Sequence, residues 1–192
     1  MKLATKRLVL RNLKISDAED IARNANNIWV SKNLLALPYP YKLKDAKWWI
    51  KDCSKNAKEK PRKDYTSAIE LKSEKRFIGA IGLHHVDRFQ GTAEMGYWLG
   101  QGYWRQGIMY EAATKVLEFA FKKLGLRRMD ISAFSDNKAS NGLIKKLGFK
   151  YEGMRRKRLR SKADKKIHDD NMYGMLKEEW KKKKRGDENR KV

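Results

Sequence analysis

The stretch from residue 107 to residue 124 sets the tightest limit on the architecture. Ile108, Ala112, Val116, Ala120 and Leu124 recur every four residues, and Leu117 and Phe121 widen the stripe. A helix apolar over most of its circumference must be covered on most sides, which calls for a sheet beneath it and further elements around it. Gly125 supplies the left-handed residue that ends such a helix. Upstream, Thr92–Leu99 alternates as a strand, and a glycine-rich segment joins strand to helix.

The remaining elements fall in place around this unit. Alternation predicts a strand over residues 7–13, and Ser16-Asp17 start a helix running towards Ala25. Pro38-Tyr39-Pro40-Tyr41 is a breaker, and a second helix begins near Asp45 and carries Trp48, Trp49 and Ile50. Tyr65–Leu71 and residues 76–86 alternate as two strands about the turn Lys72-Ser73-Glu74-Lys75. Residues 129–134 form a strand, Lys138–Leu147 a short helix stopped by Gly148, Phe149 opens another strand, and residues 171–176 form the last. The order β-α-α-β-β-β-α-β-α-β-β, with no repeat or linker, predicts one α/β (α+β) domain over residues 1–180. Its mixed sheet has about seven strands, flanked by about four helices. Residues 181–192, opening on Lys181-Lys182-Lys183-Lys184-Arg185, are expected to form a solvated, flexible basic tail.

Composition excludes several classes. The longest apolar runs, residues 78–84 and 116–121, are too short to cross a bilayer, so no membrane role is expected. The opening Met1-Lys2-Leu3-Ala4-Thr5-Lys6 has no apolar core of a signal peptide. Cys53, the single cysteine, rules out an internal disulfide and offers no thiolate cluster for zinc. A cytoplasmic protein, monomer or homodimer, is the expectation. The 192 residues include 46 Lys or Arg against 23 Asp or Glu, a net charge of +23. From residue 154 onward there are 16 basic and 7 acidic residues. Either an anionic partner such as RNA or the ribosome, or a merely solvated surface, accounts for this excess.

The segment Gly100-Gln101-Gly102-Tyr103-Trp104-Arg105-Gln106-Gly107-Ile108-Met109 lies where free backbone N–H groups and a helix dipole favour an anion. A dinucleotide fingerprint would need a third glycine where Arg105 stands. A P-loop would need lysine and a hydroxyl residue where Ile108 and Met109 stand. The loop therefore holds a pyrophosphate without transferring phosphate, or it is an ordinary strand-to-helix turn. Asn137 and Ser140, three apart at a helix start, either face one ligand edge or serve as plain N-capping groups.

In their order, these segments resemble the GNAT superfamily of N-acetyltransferases, and within it the ribosomal-protein N-terminal (Rim-type) acetyltransferase group. The resemblance spans residues 7 to 180. It is carried by Arg7-Leu8-Val9-Leu10-Arg11, Pro38-Tyr39-Pro40-Tyr41, Ile78-Gly79-Ala80-Ile81-Gly82-Leu83, Ala93-Glu94-Met95-Gly96-Tyr97-Trp98-Leu99, Gly102-Tyr103-Trp104-Arg105-Gln106-Gly107, Asn137-Lys138-Ala139-Ser140 and Lys146-Leu147-Gly148-Phe149. It implies a splayed sheet with acetyl-CoA wedged between two parting strands, and no metal. The pyrophosphate would rest on backbone N–H groups of Trp104, Arg105, Gln106, Gly107, Ile108 and Met109. The pantetheine arm would pair with Met95, Gly96, Tyr97, Trp98 and Leu99, and Asn137 and Ser140 would bond its amides. Arg105 departs from a common glycine, Met109 from a small residue. Ile144 stands where other branches place a tyrosine acid.

An amine that attacks a thioester needs proximity, an oxyanion donor and a route for protons. By the resemblance, Glu94 is the candidate general base, and a strand-end carboxylate in a salt bridge is the other reading. His84, Tyr39 and Tyr41 are candidates to line the acceptor pocket, and Glu111 is expected to orient the loop. Deprotonation at pH 7 costs about 1 kcal/mol for an α-amine and about 4.6 kcal/mol for lysine. A site with one carboxylate and no tyrosine acid suits the α-amine of a protein such as a ribosomal protein. A polyamine, an aminoglycoside, or a non-catalytic ribosome- or RNA-binding role are the alternatives.

Overall fold

Among the described residues the chain forms eight strands and six helices. They are β1 (Leu3–Ala4), β2 (Leu8–Arg11), α1 (Ala18–Ala25), α2 (Ile28–Ser31), α3 (Leu43–Asn56), β3 (Tyr65–Leu71), β4 (Arg76–Asp87), β5 (Thr92–Leu99), α4 (Ile108–Glu118), β6 (Arg128–Phe134), α5 (Lys138–Leu147), β7 (Lys150–Arg160), β8 (Ile167–Leu176) and α6 (Lys177–Asn189). This computed structural model describes residues 1–189.

The strands form a single mixed sheet in the order β1-β2-β3-β4-β5-β6-β8-β7. Every described pairing is antiparallel except β5 with β6. Period-two alternation divides the sheet into two faces. Ile69, Ile81, Leu83, Met95 and Leu99 turn towards α4 and α5, where Val116, Leu117, Phe121, Ile144 and Leu147 complete the larger core. Ala68, Ala80 and Phe77 turn the other way, against Ile21 of α1 and Ile50 of α3. The apolar helix behaves as its pattern predicts: Ala112, Ala113, Val116 and Ala120 have no exposed surface. It ends in a π-helical turn, Phe119–Lys123, followed by Gly125 at φ +72°. A Cβ at Gly79 would lie 2.4 Å from the Trp98 carbonyl oxygen, so close approach of β4 to β5 demands glycine there.

The sheet exceeds seven strands because β1 is only two residues long and β7 carries no apolar alternation to announce it. The basic run that follows Met154 is the outer strand of a hairpin; seven of the eleven β7 residues pair with β8, and none of the eleven is buried. Exposed lysines and arginines on such an edge also discourage strand-to-strand aggregation. Short α2 falls below the length at which periodicity is legible. The segment expected as a flexible tail is helical through Asn189, and residues 190–192 lie outside the described residues. Lys and Glu have high helix propensity, and Trp180 anchors the helix by packing 5.3 Å from the Phe121 ring.

Candidate active site

The decisive feature is a fork in the sheet. β5 and β6 pair through Thr92 with Arg128, Ala93 with Met129, and Glu94 with Asp130, and the described pairing stops there. Beyond it β5 continues to Leu99 bonded to β4, while β6 continues to Phe134 bonded to β8. Residues 95–99 therefore present one strand edge to an opening rather than to a neighbour. Unpaired backbone N–H and C=O groups along such an edge accept an extended amide-bearing chain as an added strand.

At the wide end of the fork lies the glycine-rich loop. Gly100 stops β5, Trp104 Nε1 donates to the Leu99 carbonyl at 2.8 Å, and Gly107 at φ +71° turns the chain into α4. No side chain caps α4, so the N–H groups of its first turn are available to an anion. Arg105 sits at φ +60°. That left-handed geometry explains why glycine is common at this position, and an arginine here carries about 1–2 kcal/mol of backbone strain. Met109 packs its side chain into the core, 8% exposed, leaving only its backbone to the loop.

A tether holds this loop against the start of the chain. Arg7 donates from Nε to Glu111 Oε2 at 2.7 Å and from NH1 to the Gln106 carbonyl at 2.9 Å. Thr5 Oγ1 and the Arg7 N–H both donate to Glu111 Oε1, at 2.5 and 2.9 Å. Burial works against the charged form of Glu111, but these hydrogen bonds outweigh it and hold its carboxyl below the usual range. Glu111 thus orients the loop, as its helix position suggested.

Asn137 and Ser140 meet at the start of α5. Asn137 Oδ1 accepts from the Ser140 N–H at 3.1 Å, so it is the N-cap. Its Nδ2 has no partner among the described residues. Ser140 Oγ is 2.9 Å from Tyr97 Oη, a bond from β5 to α5 across the fork. Burial pushes the Tyr97 hydroxyl up to about 12, and the Ser140 contact opposes it in part. Ile144, without exposed surface, is a core residue.

The opposite face of the sheet carries the charged groups. Antiparallel registers place Glu94 opposite His84, and Gly96 opposite Gly82, with side chains on one face. One residue before the pair Tyr65 and Leu83, Asp64 Oδ1 lies 2.9 Å from His84 Nδ1. A row Asp64–His84–Glu94 therefore runs from the residue before β3 across β4 and β5 and ends at the fork. Asp130 continues it on β6, paired with Arg128. Beside this row, Gly82 and Gly96 form a floor without side chains. Glu94 is half-buried and has no ion-pair or hydrogen-bond partner among the described residues. The salt bridge considered for it is therefore not formed. His85 points away at φ +52° in a bulge and is exposed.

Of the two tyrosines expected around the acceptor, Tyr39 is exposed, whereas Tyr41 is 5% exposed in the core between α1 and α3. Its ring joins that core instead of the pocket expected for it, and burial raises its hydroxyl well above the usual range. Cys53 of α3 neighbours Thr66 and Asp64, and burial pushes its thiol up to about 11, which disfavours the thiolate. Asp64 and Arg7 were not legible as site residues. Asp64 lies 20 residues from His84 in an irregular segment, and Arg7 lies 104 from Glu111; only the folded registers join them. Among the described residues no group of acidic, histidine or cysteine side chains is arranged to hold a metal ion, and no helix is long and apolar enough to cross a membrane.

A family model described as "Acetyltransferase (GNAT) domain" matches residues 7–150. The N-acetyltransferase YoaA of Bacillus subtilis (strain 168), itself uncharacterized, is 33% identical over 175 residues, covering 91% of this chain and 96% of that protein. The ribosomal-protein-serine acetyltransferase of Escherichia coli (strain K12) is 30% identical over 92 residues, covering 48% of this chain and 51% of that protein. The solved structure of RimL, a ribosomal L7/L12 alpha-N-protein acetyltransferase in complex with coenzyme A, superposes at a TM-score of 0.77 with 20% identity, covering 91% of this chain and 96% of that one. The forked sheet, the uncapped helix start behind its glycine loop and the free amide of Asn137 suit a coenzyme A thioester, and with this sequence match they make the chain a member of the GNAT family, an acetyl-CoA-dependent N-acetyltransferase.

Proposed function

We propose that the enzyme acetylates the N-terminal α-amine of a protein, such as a ribosomal protein, in the cytoplasm, with Glu94 as general base. The observation that carries this reading is the unpaired Glu94 carboxylate at the vertex of the fork. It stands where the edge of β5 can hold a thioester on one side and the charged row can receive an amine on the other. Met95, Gly96, Tyr97, Trp98 and Leu99 hold the pantetheine arm, the loop from Trp104 to Met109 holds the pyrophosphate, and Asn137 Nδ2 and Ser140 contact the arm's amides. With Ile144 buried, no tyrosine acid stands beside the leaving thiol at that position. Such a site favours an amine that is partly neutral at pH 7, as an α-amine is and a lysine is not. The relatives whose names specify ribosomal proteins support the same acceptor class.

The hairpin of β7 and β8 extends this reading to a larger partner. Arg155, Arg156, Lys157, Arg158 and Arg160 lie along its outer strand. At its tip, Lys162 N donates to the Leu35 carbonyl at 3.1 Å, so the basic arm leans on the loop after α2. An acceptor embedded in RNA or carrying acidic residues is attracted to that arm.

A small polycation is the second reading, because Asp64, Glu94 and Asp130 make the row locally acidic in a protein of net charge +23. Thiol release from acetyl-CoA separates the two. Peptides with free or blocked α-amines, spermidine and an aminoglycoside are compared with wild type and Glu94→Gln. Turnover confined to free α-amine peptides, lost in Glu94→Gln and partly regained at higher pH, supports the proposal. Turnover on spermidine alone replaces it.

A further inference from the structure

Proton balance asks for more than one acceptor in this site. An acceptor amine arrives as R–NH3+ and leaves as R–NH–CO–CH3, so two protons are lost from its nitrogen. The C–N bond forms, the C–S bond breaks, and sulfur leaves as thiolate. One of the two protons restores the thiol and the other reaches solvent. Glu94 accounts for one.

The geometry points to His84 as the second. We propose that His84, held by Asp64, is a proton acceptor of the acceptor site, working beside Glu94 on the neighbouring strand. The proposal rests on the amine-acetylating reading with Glu94 as a general base. Asp64 Oδ1 lies 2.9 Å from Nδ1, which places the ring proton of the neutral imidazole on Nδ1 and leaves Nε2 with a free lone pair. That lone pair is not turned into the protein. A Cβ at Gly82 would lie 3.3 Å from Nε2, and one at Gly96 would lie 3.4 Å from it. The ring therefore lies over the bare floor between β4 and β5, against the backbone of the segment that forms the edge of the fork. A side chain larger than glycine at either position would displace the ring. His84 is also accessible, with 39% of its side chain exposed, so a proton taken there can leave to water.

Charged groups face the ring from several elements. Asp64 faces it from the segment just before β3, and Glu94 faces it from β5. Beyond Glu94, Asp130 of β6 is already tied to Arg128. From α3, Cys53 lies near both Asp52 and Asp64. Asp64 is thus a positioning residue: it fixes the ring's orientation and tautomer, while only His84 touches the amine. One proton passes from the ammonium to Nε2, freeing the lone pair that attacks the thioester carbonyl. The second, made acidic as the C–N bond forms, passes to Glu94. His84 then returns its proton to solvent or to the departing thiolate.

Two measurements on the full chain test this. In the first, kcat and KM are followed against pH with acetyl-CoA and a short peptide bearing a free serine α-amine. His84→Gln is expected to lower kcat by roughly 10²-fold with the KM for acetyl-CoA unchanged, and to remove a step from the acid limb of kcat that Glu94→Gln retains. Asp64→Asn lowers kcat less and shifts that limb. A variant His84→Gln that raises only the acceptor KM and keeps the acid limb overturns the proposal. The second measurement needs no acceptor: two-bond nitrogen–proton NMR of the three imidazoles, with His84 assigned by its loss in His84→Gln. The Nδ1–H tautomer is expected for neutral His84, with a redistribution in Asp64→Asn. An Nε2–H tautomer in wild type overturns the proposal, because that nitrogen could not then accept. If wild type turns over no amine yet shows the Nδ1–H tautomer, the proposed acceptor fails while the assignment of the imidazole stands.

Discussion

Arg7 and Glu111 lie at opposite ends of a short bridge between the entry to β2 and the first turn of α4, with Arg7 Nε 2.7 Å from Glu111 Oε2. The same guanidinium holds the Gln106 carbonyl at 2.9 Å, so the ion pair fixes the loop proposed to hold the pyrophosphate. Glu111→Gln keeps the shape and removes the charge. It is expected to raise the KM for acetyl-CoA several-fold with little change in kcat, and to cost about 1 kcal/mol of stability. Steady-state kinetics with thermal unfolding checks this, and a change in kcat alone would contradict it.

Arg105 offers a test in which two stability effects oppose each other. Replacing it with glycine releases about 1–2 kcal/mol of left-handed strain, and loses about 0.5–1 kcal/mol to the greater freedom of the unfolded chain. Arg105→Gly is therefore expected to leave the melting temperature nearly unchanged. If the guanidinium contacts phosphate, the dissociation constant for acetyl-CoA rises several-fold at low salt, and the difference shrinks at high salt. Calorimetric titration at two ionic strengths measures it.

The bond between Tyr97 and Ser140 crosses the opening that the pantetheine arm would occupy. Tyr97→Phe removes the hydroxyl alone. Without cofactor the variant is expected to lose about 1 kcal/mol, roughly 2–4 °C for a chain of this size. With saturating coenzyme A the loss should narrow, because the arm replaces the bond. Equal losses with and without coenzyme A would show that the bond persists in the complex.

Glu118 gives a pH signature. Hydrogen bonds from Lys122 and Lys115 pull its carboxyl down to about 2. The folded value is depressed, so between the unfolded value near 4.3 and about 2 the unfolded chain binds more protons. The stabilisation is present above that window and is lost as pH falls through it. Because the pairs are partly solvated, it amounts to less than about 1 kcal/mol. Urea unfolding of wild type and Glu118→Gln should differ by a constant amount from pH 7 to 5 and converge towards pH 2.

Local pattern was enough for the elements that carry their own signal. Alternation marked β3 and β5 at their observed bounds, and four-residue spacing marked α4 as a buried helix, because period and burial are properties of a single element. Gly148, observed at φ +97°, ended α5 where a left-handed residue was required. α2 and β1 had too few residues to show a period, and β7 had no buried face to impose one. Tyr41 shows the limit of motif position: next to the breaker it looked like a pocket residue, and only packing against α1 and α3 drew it inward.

The chain's own sequence determined the buried helix and the glycine loop, since each rests on residues close together and on steric rules that hold wherever the segment lies, and it determined the family through the order of such segments along the chain. The tertiary structure decided the fork, the Arg7–Glu111 tether and the row Asp64–His84–Glu94. Those depend on strand register and on which strand lies beside which, and a register brings together residues that no local spacing relates.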